Sequence, residues 1–254
     1  MPIKILISDP MSEEGVKILE NERSFKVDVR PKLPAEELKK IIKNYDAILI
    51  RSGTKLTKDI IEASELKIIG RAGVGLDNVD INAATKKGII VVNAPGGNTI
   101  STAEHTMSLI MALSRNIPQA DKSLKSGEWN RKKFMGSELY GKTLGIIGLG
   151  RIGMEVASRA GSFKMNVIAY DPHLSVEKAK RLKIELVDLE ELLKTSDYIT
   201  VHTPITEQTR HMLGEKEFKM MKYGVRVVNT ARGGIIDEEA LYKMLESGKV
   251  AGAA

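Results

Sequence analysis

The sequence predicts an α/β fold made of two doubly wound domains, each with a parallel sheet. Nine short runs rich in Ile and Val recur along the 254 residues, and such nearly continuous apolar runs are typical of strands that are covered on both faces. Segments with helical periodicity alternate with these runs, which is the pattern of an α/β protein. A glycine-rich loop follows the sixth run and marks the start of a second set of strands.

The first domain is predicted to span residues 1–97. Its five strands correspond to the runs KILIS, FKVDV, DAILIR, LKIIGRA and GIIVVNA. Helices are predicted at SEEGVKILENE, where Ser12 is suited to cap the first turn, and at PAEELKKIIKN, where Pro34 stands at the start. This order of elements predicts a small doubly wound domain of the flavodoxin-like type.

A long helix is predicted over residues 101–115, between the two halves of the chain. Ser101 and Glu104 have the spacing of a capping box, and four apolar residues fall on one helical stripe: Ala103, Met107, Ile110 and Met111. We expect this helix to bridge the two domains. The polar segment SLKSGEWNRKKFMGSELYGKT comes next and is predicted to form a loop that carries the only Trp of the chain.

The second domain is predicted to span residues 98–254. Its strands correspond to the runs TLGIIG, NVIAYD, DYITVH and GVRVVN. The order strand, glycine loop, helix, strand is that of a mononucleotide-binding unit. The sequence therefore predicts a Rossmann-type domain.

Composition and charge narrow the class of protein. The chain has no Cys, so disulfide bonds, thiolate catalysis and zinc–thiolate sites are excluded, and no metal site is predicted. The start MPIKILISDP lacks the apolar segment of a secretion signal, and no apolar run is long enough to cross a bilayer. The net charge of +6 comes from interleaved basic and acidic residues, which suits an anionic ligand better than nucleic acid. We therefore expect a cytoplasmic protein without a membrane or nucleic-acid partner.

Three glycines after the sixth strand have the G-x-G-x-x-G spacing of a dinucleotide-binding loop: Gly148, Gly150 and Gly153. Gly148 allows a turn that a Cβ would disfavour, Gly150 lets the backbone approach a diphosphate, and Gly153 lets the helix pack closely on the strand. The following helix would offer free N–H groups and its positive dipole end to the phosphates. The alternative is a tight strand-to-helix turn without a ligand.

An acidic residue at the end of the next strand indicates which dinucleotide is bound. Asp171 lies 23 positions after Gly148. Its carboxylate can accept hydrogen bonds from the ribose hydroxyls of NAD, whereas the 2′-phosphate of NADP would meet a like charge at short range. NAD is therefore the predicted cofactor. The alternative is that Asp171 only caps the helix after PHLS.

The ligand of an open α/β sheet lies beyond the carboxyl ends of the strands, so residues that follow a strand are candidates. Thr203 and Pro204 follow one strand of the second domain, and Arg232 follows another. The guanidinium fork of Arg232 suits the carboxylate of a 2-hydroxy or 2-oxo acid and can stabilise the charge that develops in hydride transfer. The alternative is a surface arginine paired with Asp237 or Glu238.

In the first domain, the segments IRSGTK and GRAGVGLDNVD follow two of the strands. Their residues at the strand ends are candidates for binding a ligand: Arg51, Ser52, Gly53, Arg71, Gly73, Val74 and Gly75. The GVG triplet lacks a third glycine at the spacing of a dinucleotide loop, but its backbone could form a cup for an anion. A plain structural turn is equally consistent with this segment.

The four histidines are weak candidates for acid/base chemistry near neutral pH. His105 is expected to be packed inside the long helix, His173 lies at the ribose end of a dinucleotide, and His211 is expected to be solvated. His202, which precedes Thr203, is the best of the four.

Five motifs together resemble one family. They are GRAGVGLDNVD, GGNTISTAEHT, GKTLGIIGLGRIG, VHTPITEQTRHML and VNTARGGIIDEEAL, and they resemble the D-2-hydroxyacid dehydrogenases over essentially the whole chain. Within that family, NRKKFMGSELYGKTLGIIGLGRIG and RSGTKLT are most similar to the members that oxidise 3-phospho-D-glycerate. The resemblance implies a two-domain enzyme in which residues 1–97 bind the substrate and residues 98–254 bind NAD.

The resemblance also implies roles for single residues. Arg232 would orient the substrate, Asn98 would contact it, and Val74 would contact the cofactor. Further cofactor contacts are implied at the glycine loop, the ribose acid and the later strand ends: Gly148, Gly150, Arg151, Ile152, Gly153, Asp171, His202, Thr203, Pro204, Thr230, Ala231 and Arg232. Hypothetical partners for the phosphate or carboxylate of the substrate are Arg51, Arg71, Arg131 and Lys133, beside Ser52, Gly53 and Gly73.

The implied reaction is the oxidation of 3-phospho-D-glycerate to 3-phosphohydroxypyruvate with NAD, the first step of the phosphorylated route to serine. A glyoxylate or hydroxypyruvate reductase is an alternative within the same chemistry. A non-catalytic NAD(H)-sensing protein, akin to corepressors that share this fold, is an alternative of another class.

The family pattern also implies elements beyond Ala254. In the family, the strand that begins VAGAA continues towards a Glu, and a later strand ends in the His that exchanges the hydroxyl proton. We therefore expect a second domain that lacks its last strands, and an acid/base outside the given sequence, so that this chain alone would be inactive. A homodimer formed through the second domain is also expected.

Overall fold

The computed structural model describes residues 2–181 and 184–254. The chain separates into two compact units, residues 1–98 and residues 99–254. Each unit contains one parallel sheet with helices between its strands, so the predicted α/β class is confirmed.

Unit 1, residues 1–98, contains a five-stranded sheet. Its strands are β1 (Ile3–Ile7), β2 (Phe25–Val29), β3 (Ala47–Ile50), β4 (Ile68–Arg71) and β5 (Ile90–Asn93). Its helices are α1 (Glu13–Glu20), α2 (Ala35–Ile41), α3 (Lys58–Glu62) and α4 (Ile81–Lys86), with a 3-10 turn at Ile42–Asn44. The strands are parallel and lie in the order β2-β1-β3-β4-β5, which is the flavodoxin-like order that the sequence predicts.

The helix starts of unit 1 agree with the sequence. The Ser12 hydroxyl accepts a hydrogen bond from the N–H of Gly15 at 3.3 Å and so caps α1. α2 begins directly after Pro34. The core forms where strand residues such as Ile48 and Ile69 meet Leu38 and other buried helix residues.

Unit 2, residues 99–254, contains a six-stranded sheet. Its strands are β6 (Thr143–Ile147), β7 (Asn166–Tyr170), β8 (Glu185–Leu186), β9 (Tyr198–Val201), β10 (Val225–Asn229) and β11 (Val250–Ala253). Its helices are α5 (Thr99–Arg115), α6 (Ile117–Lys125), α7 (Arg151–Ser162), α8 (Val176–Arg181), α9 (Leu189–Thr195), α10 (Glu215–Met220) and α11 (Glu238–Glu246), with a 3-10 turn at Arg131–Phe134.

The sheet of unit 2 has the strand order of a Rossmann domain. All pairs are parallel, and the order is β11-β10-β9-β6-β7-β8. Counted within the unit, this is the order 6-5-4-1-2-3 that two mononucleotide-binding halves produce. The predicted Rossmann-type fold is therefore confirmed. The expectation of further strands beyond Ala254 stays a prediction.

The long helix differs from the prediction at its start. α5 begins at Thr99, so Ser101 lies inside the first turn and is not the N-cap that its spacing to Glu104 suggests. The predicted apolar stripe packs into or against the core of unit 2: Ala103, Met107, Ile110 and Met111. α5 lies against α7 and β10 of the same unit, and its bridging role stays a prediction.

The sequence did not predict α6, the 3-10 turn at Arg131–Phe134 or β8 of unit 2. α6 begins after Asn116, whose φ of 52° turns the chain out of α5, a conformation that Asn tolerates better than most residues. The end of α6 and the 3-10 turn at Arg131–Phe134 lie in the segment that was predicted to be a loop. β8 has only two residues, too few to show a strand pattern. Among the helices of residues 2–181 and 184–254, none combines the length and apolar composition that spanning a bilayer requires.

Candidate functional site

The carboxyl ends of four neighbouring strands meet at one edge of the unit 2 sheet. The register pairs the last residues of β7, β6, β9 and β10 with one another. The segments that follow these strands therefore lie side by side: Asp171, Gly148–Gly153, His202–Pro204 and Thr230–Arg232. Because neighbouring strands are about 4.8 Å apart, the row extends about 14 Å across the edge. The structure thus brings together the predicted cofactor residues of unit 2.

Gly148 turns the chain beside the end of β9. Its φ is +92°, in the left-handed region that glycine adopts without a steric penalty. A Cβ at this position would lie 2.8 Å from Cγ2 of Thr203 and 2.9 Å from the carbonyl oxygen of His202. Both the backbone conformation and the close approach of residues 202–203 require glycine here.

Gly153 allows close packing at the glycine loop, and the surroundings of Gly150 are open. A Cβ on Gly153 would lie 2.3 Å from the carbonyl oxygen of Gly148, so glycine lets the first turn of α7 rest on the loop. Around Gly150, by contrast, no described atom lies within 4 Å of the Cβ position, so the start of α7 is open. Arg151 is exposed and Ile152 partly buried in this first turn. The N–H groups of a first helical turn lack intrahelical acceptors, which makes this opening suitable for an anion.

Asp171 is joined to the glycine loop across a long stretch of sequence. Its Oδ2 accepts a hydrogen bond from the N–H of Leu149 at 2.8 Å, and its Oδ1 accepts one from the N–H of His173 at 2.9 Å. The next helix, α8, begins only at Val176. The alternative that Asp171 merely caps this helix is therefore wrong, and its partly exposed carboxylate belongs to the glycine loop.

Two buried polar atoms beside Gly148 have no hydrogen-bond partner among the described residues. They are Nδ1 of His202 and Oγ1 of Thr203. The other ring nitrogen, Nε2, lies 3.0 Å from Oγ1 of Thr200, and burial lowers the pKa of His202 to about 4, so the ring is neutral near pH 7. Buried polar atoms are nearly always hydrogen-bonded, so these two atoms are suited to bond to a bound ligand or water.

The segment Thr230–Arg232 is fixed at the end of β10. Oδ1 of Asn229 accepts from the N–H of Ala231 at 2.9 Å, and Nδ2 of Asn229 donates to the carbonyl of Arg232 at 2.7 Å. The hydroxyl oxygen of Thr230 lies 2.8 Å from that of Thr106 in α5. These contacts hold the turn that carries the partly buried Arg232.

Arg232 lines a cavity of about 540 Å³ at this end of the sheet, together with Asn229, Thr230 and Glu238. Its Nη1 donates to the carbonyl of Ala231 at 2.8 Å, so the side chain is curled over its own turn. Asp237, one of the two partners considered from the sequence, caps α11 by accepting from the N–H of Ala240 at 3.1 Å. Arg232 is thus compatible with binding an acid at the β10 end of the row, one strand beyond His202–Pro204.

These observations fit a dinucleotide cofactor. The loop excludes a Cβ where it packs on its neighbours, the start of α7 is open, a carboxylate stands at one end of the row, and unsatisfied polar atoms lie within it. This combination matches the chemistry of a ribose, a diphosphate and a second nucleotide laid across the strand ends.

In unit 1, the loop Arg51–Thr54 follows β3 and is held by a carboxylate that the sequence analysis missed. Asp9 is only 4% exposed, and its Oδ2 accepts from the N–H groups of Arg51 and Thr54 at 2.6 and 3.1 Å. The predicted residues Arg51, Ser52 and Gly53 are exposed. An Asp before Pro is typical of a turn, and nothing in the sequence indicates that this one is buried.

The second predicted loop of unit 1 starts beside the first, because the register pairs Ile50 with Arg71. Arg71 is folded onto its own loop, where Nη1 donates to the carbonyl of Gly75 and Nε is buried without a partner among the described residues. A Cβ on Gly73 would lie 2.9 Å from Nη1 of Arg71. Gly73 therefore leaves room for the guanidinium, and Nδ2 of Asn93 fixes the carbonyl of Val74 at 2.6 Å.

The remaining predicted substrate residues are exposed and belong to different units. Asn98 ends unit 1, whereas Arg131 and Lys133 lie in the 3-10 turn of unit 2. Their convergence on one substrate stays a prediction.

One of the predictions made for the histidines is wrong. His105 is exposed on α5, so the prediction that it is packed is wrong, and the buried face of the helix instead carries Thr106 and Met107. His173 and His211 are exposed, and Nδ1 of His211 lies 4.0 Å from a carboxylate oxygen of Asp237.

Comparison with known proteins identifies the family. Residues 107–254, more than half of the chain, match the NAD binding domain of the D-isomer specific 2-hydroxyacid dehydrogenases. The chain belongs to this family. The predicted family and the predicted NAD cofactor are thereby confirmed. The glycine loop, Asp171 and Arg232 lie in the matched part.

Curated relatives match almost the whole chain. It is 54% identical over 253 residues to the D-3-phosphoglycerate dehydrogenase of Archaeoglobus fulgidus and 55% identical over 254 residues to that of Methanocaldococcus jannaschii. Each match covers 99% of this chain and 48% of the relative. The chain therefore spans about half the length of the curated relatives it matches.

Solved structures of the family share the fold. A glyoxylate reductase from Paecilomyes thermophila has a TM-score of 0.90 and 33% identity, with coverage of 99% of this chain and 80% of that one. The D-lactate dehydrogenase from Aquifex aeolicus, complexed with NAD and lactic acid, has a TM-score of 0.87 and 32% identity, with coverage of 98% and 75%.

Proposed function

We propose that this 2-hydroxyacid dehydrogenase oxidises 3-phospho-D-glycerate to 3-phosphohydroxypyruvate with NAD, at the start of a route to serine. The observation that carries the proposal is the identity of 54 and 55% to relatives named D-3-phosphoglycerate dehydrogenase. Identity to the glyoxylate reductase and the D-lactate dehydrogenase of known structure is 33 and 32%. A phosphorylated 2-hydroxy acid is thus the substrate class we favour over an unphosphorylated one.

The cofactor is proposed to lie along the row of strand ends in unit 2. Asp171 would accept hydrogen bonds from the adenosine ribose, and the open start of α7 at Gly150 would receive the diphosphate. The unsatisfied atoms of His202 and Thr203 would hydrogen-bond to the cofactor further along the row. Thr230 and its neighbours would then face the nicotinamide end.

Arg232 is proposed to hold the substrate for hydride transfer. NAD, when bound, would supply the acceptor for the hydride of C2, and the oxidation would also require a base that takes the hydroxyl proton. The guanidinium of Arg232 would bind the carboxylate and stabilise the charge that develops on the C2 oxygen. The pKa of His202, about 4, is too low for efficient proton exchange near neutral pH, so we assign it to cofactor binding.

The roles of the two units follow from the same proposal. Unit 1 would bind the acid groups of the substrate at Arg51–Gly53, with Arg71, Gly73, Asn98 and Arg131 as further candidate contacts. Unit 2 would bind NAD. The proposal also places the enzyme in the cytoplasm.

A homodimer formed through unit 2 is part of the proposal. Support comes from apolar side chains that are exposed in and after α6, where Trp129 is 75% and Met135 is 80% exposed. Sedimentation equilibrium would then give twice the chain mass. The double variant W129E/M135E should sediment as a monomer, whereas Tyr242→Ala, at a 60% exposed aromatic residue elsewhere in unit 2, should not change the mass.

Substrate oxidation by the full-length gene product tests the proposed function. With NAD present, kcat/KM for 3-phospho-D-glycerate should exceed that for D-glycerate and D-lactate. Arg232→Lys keeps the charge but loses the planar fork, so we expect kcat/KM to fall by about 10²-fold or more. A preference for D-glycerate would favour the glyoxylate or hydroxypyruvate reductase instead.

A further inference from the structure

Asp9 is a buried carboxylate at the carboxyl end of β1, outside the residues assigned to substrate or cofactor above. It is 4% exposed, and Asp and Glu are rarely buried to this extent unless their charge is compensated. Its position next to Pro10 at a strand end accounts for a turn but not for a buried carboxylate. The burial of the carboxylate is explained by the hydrogen bonds that Asp9 accepts.

One oxygen of Asp9 holds both ends of a four-residue loop. Oδ2 accepts from the N–H of Arg51 at 2.6 Å and from the N–H of Thr54 at 3.1 Å. The two N–H groups between them, on Ser52 and Gly53, have no acceptor among the described residues, and both residues are exposed. Asp9 therefore fixes the outer amides of the loop and leaves the two central amides available to an anion.

Gly53 and Asp9 fit together without spare room. A Cβ on Gly53 would lie 2.5 Å from Oδ1 of Asp9, which is closer than real Cβ atoms approach an oxygen. Glycine is therefore required at position 53 as long as the carboxylate stands behind it. This contact predicts that the two positions are energetically coupled.

Neighbouring residues support the same loop from two sides. Nδ2 of Asn78 donates to the carbonyls of Arg51 and Thr54 at 2.7 Å each. The hydroxyl oxygens of Ser8 and Thr54 are 2.9 Å apart. Because its backbone groups are held in this way, the loop loses little conformational entropy when a ligand binds.

The loop stands where a flavodoxin-like sheet binds its ligands. In the order β2-β1-β3-β4-β5, β2 is added on one side of β1 and β3 on the other, so the strand order reverses at β1 and the crevice beyond the carboxyl ends of β1 and β3 is the switch point. Asp9 follows β1 and Arg51 follows β3, so their hydrogen bond closes the floor of this crevice.

We propose that Asp9 is a positioning residue that holds the Arg51–Thr54 loop so that the amides of Ser52 and Gly53 receive an acid group of the substrate. The inference rests on the proposed function for the identity of the substrate, but the hold of Asp9 on the loop does not. The acid group is the phosphate or the carboxylate of the phosphorylated 2-hydroxy acid. Oδ2 of Asp9 accepts from the two outer amides and so orders the loop, while the two central amides stay available.

Three variants separate this role from a general loss of folding. Asp9→Ala removes both hydrogen bonds, whereas Asp9→Asn keeps one oxygen that can accept both amides. The matched control is Asp46→Ala, because Asp46 also accepts a backbone N–H in unit 1, from Lys4 at 2.9 Å, but it precedes β3 and lies at the opposite edge of the sheet.

The first readout is the kinetics of the full-length gene product. We expect Asp9→Ala to raise KM for 3-phospho-D-glycerate about tenfold or more with a much smaller change in kcat, and to leave KM for NAD within about twofold. Asp9→Asn and Asp46→Ala should keep KM for the substrate within about threefold of the wild-type value. Equal KM values for Asp9→Ala and Asp46→Ala would overturn the proposal.

The second readout does not depend on activity. Inorganic phosphate is titrated while the amide NMR signals of Ser52 and Gly53 are followed, and hydrogen exchange is measured at Arg51 and Thr54. Saturable shifts are expected in the wild type and in Asp9→Asn, with about tenfold weaker binding and faster exchange in Asp9→Ala. Absence of phosphate-dependent shifts in the wild type, or unchanged exchange in Asp9→Ala, would overturn the proposal even if 3-phospho-D-glycerate is the substrate. Conversely, an enzyme that ignores this substrate but shows these shifts would refute the proposed function alone.

Coupling between Asp9 and Gly53 gives a third readout. Gly53→Ala alone should weaken phosphate binding, because the new methyl group displaces the carboxylate. In the double variant, Gly53→Ala should weaken phosphate binding by less than a further factor of about two relative to Asp9→Ala alone, because the methyl group then has room. Independent, multiplicative effects would contradict the proposed contact.

Discussion

Gly153 permits the first turn of α7 to lie on the glycine loop. In Gly153→Ala, the new Cβ would lie 2.3 Å from the carbonyl oxygen of Gly148, and backbone must move to relieve the overlap. We expect the free energy of unfolding to fall by about 1–3 kcal/mol, as for other overpacked sites, and NADH binding to weaken. Urea denaturation monitored by circular dichroism measures the first effect.

Gly161 provides the matched control, because it lies in the same helix and has no described atom within 4 Å of its Cβ position. Gly161→Ala should leave stability unchanged or raise it by up to about 1 kcal/mol, as expected for glycine replaced in a helix. Equal destabilisation by both variants would show that the contact with Gly148 does not matter.

Asp171 determines both the shape of the glycine loop and the choice of cofactor in this account. Asp171→Ala removes the acceptor for the N–H of Leu149 and the proposed acceptor for the ribose hydroxyls. Loss of a charged hydrogen-bond acceptor of this kind should weaken NADH binding by about 10- to 100-fold, while NADPH binding weakens less or improves. Isothermal titration calorimetry with both dinucleotides measures the two changes.

A second acidic residue of unit 2 controls for the loss of charge. Asp188 caps α9 by accepting from the N–H of Glu191 at 2.7 Å and lies outside the row of strand ends. Asp188→Ala should lower stability by about 1 kcal/mol without changing the affinity for NADH. The assignment of Asp171 fails if the two variants bind NADH equally well.

His202 predicts a pH dependence of stability. Its pKa is lowered by burial from 6.5 to about 4 in the folded state, so between these values the unfolded chain takes up a proton that the folded chain does not. Lowering the pH from 7 to 4 should therefore remove up to about 3 kcal/mol of the free energy of unfolding through this group, whereas raising the pH above 7 should change nothing. Denaturation series at pH 4.5–7.5 measure the slope.

Two variants test whether His202 causes this pH dependence of stability. His202→Gln should show a smaller decrease in stability between about pH 6.5 and 4 than the wild type. His173→Gln, at an exposed histidine, should keep the wild-type slope. A wild-type slope in His202→Gln would mean that other groups cause the effect.

Single residues differ in how far the sequence could identify them. The roles of Gly148 and Gly153 follow from spacing, because a tight turn and a close contact each need a missing Cβ at a fixed position. Asp9 has no such pattern, since its burial depends on two amides more than forty positions away. His105 was predicted to be packed but is exposed. Which face of α5 is buried depends on the elements that pack against it, and the sequence of the helix alone does not show these elements.

Among the elements, α5 owes part of its packing to a buried polar contact with the sheet. The hydroxyl oxygens of Ser114 and of Tyr198 in β9 are 2.9 Å apart, and both side chains are buried. Ser114→Ala leaves the Tyr198 hydroxyl buried without this partner, so we expect a loss of about 1–3 kcal/mol in the free energy of unfolding. Thermal and urea denaturation measure this loss.

Ser108 is the control on the same helix, because its hydroxyl donates to the carbonyl of Glu104 but is exposed. Ser108→Ala should stay within about 0.5 kcal/mol of the wild type. If Ser114→Ala is equally mild, the contact between α5 and β9 contributes nothing to stability.

Some of the secondary-structure elements could be predicted from the sequence pattern and others could not. The nine strands with apolar runs were predictable, because burial on both faces demands such runs over four or five residues. β8 was missed, since two paired residues at the edge of the sheet need no apolar run. The start of α5 was placed two residues late, because the spacing of Ser101 and Glu104 imitates a cap inside a helix that has already begun.

At the scale of the whole molecule, two sheets of the same α/β class present different chemistry at their carboxyl edges. Unit 2 offers an open helix start and a partly exposed carboxylate, Asp171, joined to the glycine loop. Unit 1 offers the loop Arg51–Thr54, in which the amides of Ser52 and Gly53 have no acceptor among the described residues. The class alone would not distinguish a cofactor site from a substrate site. The net charge of +6 agrees with anionic ligands but does not locate them.

NAD(H) is proposed to lie across the strand ends of unit 2, and a crystal structure of the chain with NADH would show whether it does. We expect the adenosine ribose at Asp171, the diphosphate against Gly150 and the first turn of α7, and the nicotinamide near Thr203 and Arg232. Density for NADH at any other surface of the chain, or a ribose without contact to Asp171, would refute this placement.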